Sequence, residues 1–114
     1  MANTNIYLYY NGNCEEAFMF YKEVFGGDFT YLGKFKDMPE IEGFEVKDNE
    51  KNNIMHVALP IGNTILMGSD VGGGWNDEYK FGNNFAVFVN TNSIEEAERI
   101  FNELSSYGVI KLPL

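Results

Sequence analysis

His56 is the only histidine in this chain of 114 residues, and Cys14 is the only cysteine. An imidazole titrates near neutrality, so His56 offers a general base or a hydrogen-bonding group for a binding cup. A single histidine leaves no two-His metal site within one chain. A Ser-His-Asp arrangement would have to use His56, yet no Gly-x-Ser-x-Gly elbow accompanies it. The competing reading, which the sequence favours, is a histidine satisfied by neighbouring backbone. Strand alternation sets His56 on one face with Ile54 and Ala58, opposite Met55 and Val57. Cys14 sits just after a helix cap, where the dipole favours thiolate, but Glu15 and Glu16 work against an anion there. A small residue at the first helical position is the simpler account.

Other chemistry is sparser. Ser69 and Asp70 follow Met67 and could orient a polar ligand group, although Ser and Asp also serve as turn residues. Trp75 follows three glycines and is either a ring that closes over a cup or a pin for the linker. Carboxylates crowd the stretch from Asp37 to Glu50, but their spacing is not that of an EF-hand loop, and a solvated excursion is the expectation. Gly72-Gly73-Gly74 lacks the lysine and the strand-to-helix setting of a phosphate cradle.

The elements that must position these residues are legible from periodicity. Ile6–Tyr10 reads as a strand. Asn13 is a candidate cap with Glu16 three residues on. Ala17, Phe20, Tyr21 and Val24 follow at helical spacing, and Gly26-Gly27 ends the helix. Phe29–Phe35, Ile54–Ile61 and Thr64–Ser69 read as further strands, with a hairpin turn at Gly62-Asn63. A short strand near Phe44–Val46 is expected inside the polar excursion. The pattern then restarts 80 residues later. Strand character recurs at Asn84–Val89, and Ser93 with Glu96 forms a second capping box. Ile94, Ala97, Phe101 and Leu104 make a second stripe, Gly108 ends it, and Val109–Leu114 begins another strand. A strand, cap, stripe and terminator recurring in order at one offset indicate a duplicated unit. Phe18, Met19 and Phe25 have Glu98, Arg99 and Ser105 as counterparts, so the first helix is expected to be the more buried.

Bulk composition bounds the rest. The length suits one domain with a real core. Aromatic residues make up 16% of the chain, which suggests a ring-rich core or pocket. The net charge of −9 has the wrong sign for tracking phosphates or anionic lipid, so neither nucleic acid nor membrane is an expected partner. Neither a signal peptide nor a spanning stretch is apparent, and a cytoplasmic protein is the expectation.

Tyr7–Ala17, Phe20–Gly27, Met55-His56, Ile61-Gly62 and Leu66–Asp70 together resemble the vicinal oxygen chelate superfamily of glyoxalases, bleomycin-resistance proteins and extradiol dioxygenases. The wording is closest to its PhnB-like branch, labelled 3-demethylubiquinone methyltransferase-like. The resemblance implies an α+β fold of paired βαβββ modules forming half-barrel cups, and a homodimer. It divides the chain into a first module over 1–70, a Gly-rich linker over 71–82 and a partial second module over 83–114. On that reading the second module is incomplete, lacking strands beyond Leu114. Metal-dependent members bind a divalent ion through inward His and Glu. The matching positions here are Ile6, Met67 and either Asn84 or Ala86, none a good ligand, so no metal or other cofactor is expected. The expected function is a metal-free, aromatic-lined cup for a small hydrophobic or aromatic ligand, walled by Tyr10, His56, Met67, Ser69, Trp75 and Phe88. Two alternatives stand beside it. One is a metal-dependent lyase, dioxygenase or transferase whose site is completed by a further segment or a partner chain. The other is a non-catalytic structural or binding dimer.

Overall fold

The computed structural model describes residues 1–39, 42–43, 45–72 and 79–114. They form two compact units, Met1–Lys80 and Phe81–Leu114. The first contains β1 (Ile6–Tyr10), α1 (Cys14–Phe25), β2 (Tyr31–Lys34), β3 (Ile54–Ile61) and β4 (Thr64–Asp70). The second contains α2 (Ile94–Ser105). Single turns of tighter helix occur at Phe35–Asp37 and Asp48–Glu50. The class is α+β, and the two long helices lie at the 80-residue offset of the sequence repeat.

The sheet order is β1-β4-β3-β2, with β1 parallel to β4 and the other pairs antiparallel. Register decides what each face carries. Tyr7, Met67, Ala58 and Tyr31 form one cross-strand row, and Tyr9, Ser69, His56 and Gly33 form the next. Leu8, Gly68 and Val57 point to the opposite face, as do Leu59 and Leu66. That opposite face packs on α1.

Cys14, Phe18, Ile54, Val57 and Leu59 are fully buried together. A Cβ on Gly68 would sit 2.7 Å from the Phe18 ring and 2.9 Å from the Leu8 carbonyl oxygen. The missing side chain therefore lets Phe18 lie directly on the sheet. Burying such a ring stabilises by about 1.5–3 kcal/mol. Tyr10 and Tyr21 meet Phe18 edge-on, and the Tyr10 hydroxyl donates to that of Tyr21 at 3.3 Å. The buried face of α1 thus runs through Cys14, Phe18 and Val24, turned from the stripe that periodicity suggests, because Gly68 opens space for Phe18. Only Ile100 is buried on α2, so the first helix is the more buried, as its composition indicates. Met19, in contrast, is exposed.

One side chain ties these elements together. Asp70, at the end of β4, is 3% exposed. Its Oδ1 accepts from the Gly12 and Cys14 amides at 2.8 and 3.0 Å, and its Oδ2 accepts from the Ile54 amide at 2.8 Å. Asn13 makes no side-chain cap bond. The expected local cap is therefore replaced by a long-range one, a carboxylate meeting the free amides and positive dipole of the helix start. On α2 the local cap forms as expected, the Ser93 hydroxyl accepting from the Glu96 amide at 3.1 Å.

Four other expectations need correction. The strand read as Phe29–Phe35 is shorter, because Phe35 turns inward and is 5% exposed. Ile54 does not share a face with His56. Gly33 pairs with His56 but Lys34 pairs with Ile54, so Met55 is an extra residue, and this bulge re-aims Ile54 into the core. No strand forms at Glu45-Val46, while Phe44 lies outside the described residues. The strands expected at Asn84–Val89 and Val109–Leu114 are also absent among the described residues. A ladder needs a partner strand for its N–H and C=O groups, and the described part of the second unit has none. No helix among the described residues is long and apolar enough to cross a membrane.

Replacing Asp70 by Ala leaves three amides without their acceptor. Each unpaired buried donor costs about 1–3 kcal/mol. Urea unfolding is expected to lose about 3 kcal/mol or more, with Asp70→Asn milder because its amide oxygen still accepts. A loss under about 0.5 kcal/mol for the alanine variant would contradict the clasp. A second expectation concerns alkaline pH. Burial, and then the Asp70 and Glu15 charges, push the Cys14 thiol up to about 12, whereas an unfolded thiol titrates near about 8.5. The unfolded chain then loses its proton first, so stability is retained below about pH 8.5 and falls as pH rises toward the folded value. Burial raises the Tyr10 phenol as well, in the same destabilising sense. Cys14→Ala should flatten the decline between about pH 9 and 10, and an unchanged slope would contradict the assignment.

Candidate functional site

The sheet face away from α1 gathers the polar chemistry of the first unit. β1 alternates, so Tyr7 and Tyr9 stand on this face while Leu8 and Tyr10 turn to the helix. β3 contributes His56 and Ala58, β4 contributes Met67 and Ser69, and β2 contributes Tyr31. Tyr7, Tyr9 and Tyr31 are 37%, 43% and 49% exposed, so their rings present apolar surface outward.

The rings are arranged around the imidazole. Tyr7 stacks on His56 with centroids 5.6 Å apart and planes 23° apart. Tyr31 meets the other side of the cluster at 5.5 Å and 41°. It can do so because Gly33 lies beneath it, where a Cβ would sit 2.7 Å from the Tyr31 hydroxyl oxygen. Tyr9 packs on Tyr7 at 5.1 Å and on Tyr79 at 4.3 Å. The Tyr7 hydroxyl oxygen lies 3.3 Å from His56 Nδ1. Burial pushes the Tyr7 phenol above its ordinary range, while a hydrogen bond with Ser69 pulls it back in part. At neutral pH the phenol therefore keeps its proton.

Of the residues expected to wall a cup, this face brings together His56, Met67 and Ser69. Tyr10 lies on the helix side, in the Phe18–Tyr21 cluster. Phe88 belongs to the second unit and is 85% exposed. Trp75 lies outside the described residues. Tyr7, Tyr9 and Tyr31 are members of the cluster that sequence reasoning passed over, although strict alternation from Leu8, a core-facing residue, places the first two. Cys14 is buried and accepts no role here. Among the described residues no group of three or more His, Cys, Asp or Glu side chains is placed to hold a metal ion. A separate open cavity of ≈ 590 Å³ runs along α2, lined by Ile94, Ala97, Glu98, Phe101, Asn102 and Leu114, and shares no residue with the aromatic face.

Comparison with known proteins places this architecture. The crystal structure of protein PA1353 from Pseudomonas aeruginosa superposes with a TM-score of 0.80 at 34% identity, over 100% of this chain and 80% of that one. The PhnB protein from Bacillus cereus shares the fold, with a TM-score of 0.71 at 20% identity over 99% and 81% of the two chains. Protein YjdN of Escherichia coli (strain K12) is 25% identical over 116 residues, spanning 93% of this chain and 74% of YjdN. A model of the 3-demethylubiquinone-9 3-methyltransferase family matches residues 2–112. With nearly its whole length described by that model, the chain belongs to the 3-demethylubiquinone-9 3-methyltransferase family, in the company of PhnB-like structures.

Proposed function

We propose that the first unit binds a small planar ligand on its aromatic face, with the rings of Tyr7, Tyr9 and Tyr31 as the stacking surface. The observation that carries this reading is the partial exposure of three phenol rings around one imidazole, on the sheet face that α1 leaves open. Rings in that arrangement offer apolar surface and few, fixed polar groups, the usual make-up of a small-molecule site. The wider setting we infer is a cytoplasmic homodimer of paired βαβββ modules of the vicinal oxygen chelate type. The 80-residue offset of α1 and α2 supports the pairing of modules.

The family description names a methyl transfer. Such a reaction draws on a donor such as S-adenosylmethionine, and nucleotide-like groups are often held by free amides at a strand-to-helix turn. In this chain the equivalent amides, those of Gly12 and Cys14, already donate to Asp70. That turn does not fit such a donor, and no step is assigned through one. The metal-dependent alternative meets a similar obstacle on the aromatic face, where His56 is the one strong nitrogen ligand. The second reading we retain is the non-catalytic binding dimer.

Titration with aromatic and quinone-like compounds should raise the thermal midpoint, since binding to the native state stabilises it. Tyr31→Ala should weaken binding by about 2- to 13-fold, the loss of one aromatic contact worth about 0.5–1.5 kcal/mol. Gly33→Ala meets only the flexible end of Tyr31. It should leave the unfolding midpoint nearly unchanged while displacing that ring and reducing affinity. Equal affinity in the wild type and both variants would argue against the aromatic face.

A further inference from the structure

We propose that His56 is the polarity-determining residue of the aromatic face, held as the Nε2–H tautomer by Tyr7 so that Nε2 donates to an acceptor oxygen on a planar ring ligand. This rests on the ligand-binding reading above and adds the class of ligand: a ring compound bearing a carbonyl or phenolate oxygen.

The argument begins with the pair itself. Tyr7 Oη and His56 Nδ1 lie 3.3 Å apart. An imidazole nitrogen lone pair is a far better acceptor than a phenol oxygen, and a phenol is the better donor. The Tyr7 proton therefore points to Nδ1, and a neutral imidazole whose Nδ1 accepts must carry its hydrogen on Nε2. No hydrogen-bond partner for Nε2 is present among the described residues.

The rings fix where that donor can be used. Tyr7 is stacked against the imidazole at 5.6 Å and Tyr31 is tilted against it at 5.5 Å. A planar ligand lying on these phenols would bring its rim toward the imidazole edge. A bare hydrocarbon would leave Nε2–H without an acceptor. A carbonyl oxygen would satisfy it, and that difference is the source of selectivity.

The test uses the full chain with menadione and methylnaphthalene, which share a ring system and differ in the two carbonyl oxygens. Wild type should bind menadione about fivefold more tightly than the hydrocarbon, the effect of one ordinary hydrogen bond. His56→Phe should abolish the preference while retaining hydrocarbon binding. Tyr7→Phe keeps the ring but removes the phenol, and should reduce the preference. NMR of the imidazole nitrogens, free of overlap because the chain has one histidine, should show the hydrogen on Nε2 in wild type, with Tyr7→Phe moving both nitrogens toward exchange-averaged shifts. A hydrogen on Nδ1, or equal affinity for the two compounds, would overturn the proposal while leaving the binding face standing. Failure of both compounds to bind would overturn the binding face, and the proposal with it.

Discussion

The carboxylate of Asp70 joins three stretches of chain that sequence keeps far apart. It lies at the end of β4, yet its oxygens accept from the turn before α1, from the first residue of that helix and from the start of β3. A buried carboxylate without partners would be strongly unfavourable, and so would three buried amides without acceptors. Each need cancels the other, but only when β1, α1, β3 and β4 are all in place. The interaction therefore acts on the assembled unit rather than on any element alone.

The parallel pairing of β1 with β4 depends on the same junction. Parallel neighbours need a crossover, and here the connection from β1 passes through α1, β2 and β3 before β4 returns beside it. The Val71 amide donates to the Tyr10 carbonyl at 2.7 Å, carrying the ladder one step past Asp70. With the ends of the strands and the start of the helix fixed, Phe18 drops onto Gly68. That contact sets which sheet face is the core. The remaining face then receives Tyr7, Tyr9, His56 and Tyr31 as a consequence of alternation and not through any contact with the helix.

The sequence makes the local parts of this legible and leaves the long-range parts hidden. Both long helices begin where periodicity places them and Gly26 ends α1, because caps, stripes and terminators act within a few residues, whereas α2 stops at Ser105, three residues before Gly108. Ser93 caps its own helix for that reason. Asn13 has the same chemistry but loses the task to Asp70, a residue 56 positions beyond Cys14, and no local rule can anticipate that. Met67 and Ser69 share a face because β4 alternates without interruption, and His56 joins them from the regular part of β3. Ile54 lies opposite His56 because a bulge at Met55 reverses the parity of β3, and bulges leave little trace in composition. Tyr7 to Tyr10 are all apolar or aromatic, so composition does not say which pair of β1 faces the core. Only the packing of Phe18 decides which pair faces the core. The strands read into the second unit show the converse limit, since apolar runs become strands only where a partner ladder exists.

The aromatic face also constrains what chemistry can occur on it. Tyr7 keeps its proton at neutral pH, because burial holds its phenol above the ordinary range. It therefore cannot act as a base there. Ser69 is 6% exposed, and Met67 carries no exchangeable proton. His56 is the one imidazole on the face, and its Nδ1 lies 3.3 Å from the Tyr7 hydroxyl oxygen. Acid–base reactions of the two-group kind require two titrating partners, and among the described residues of this face Tyr7, Ser69 and Met67 do not supply the second.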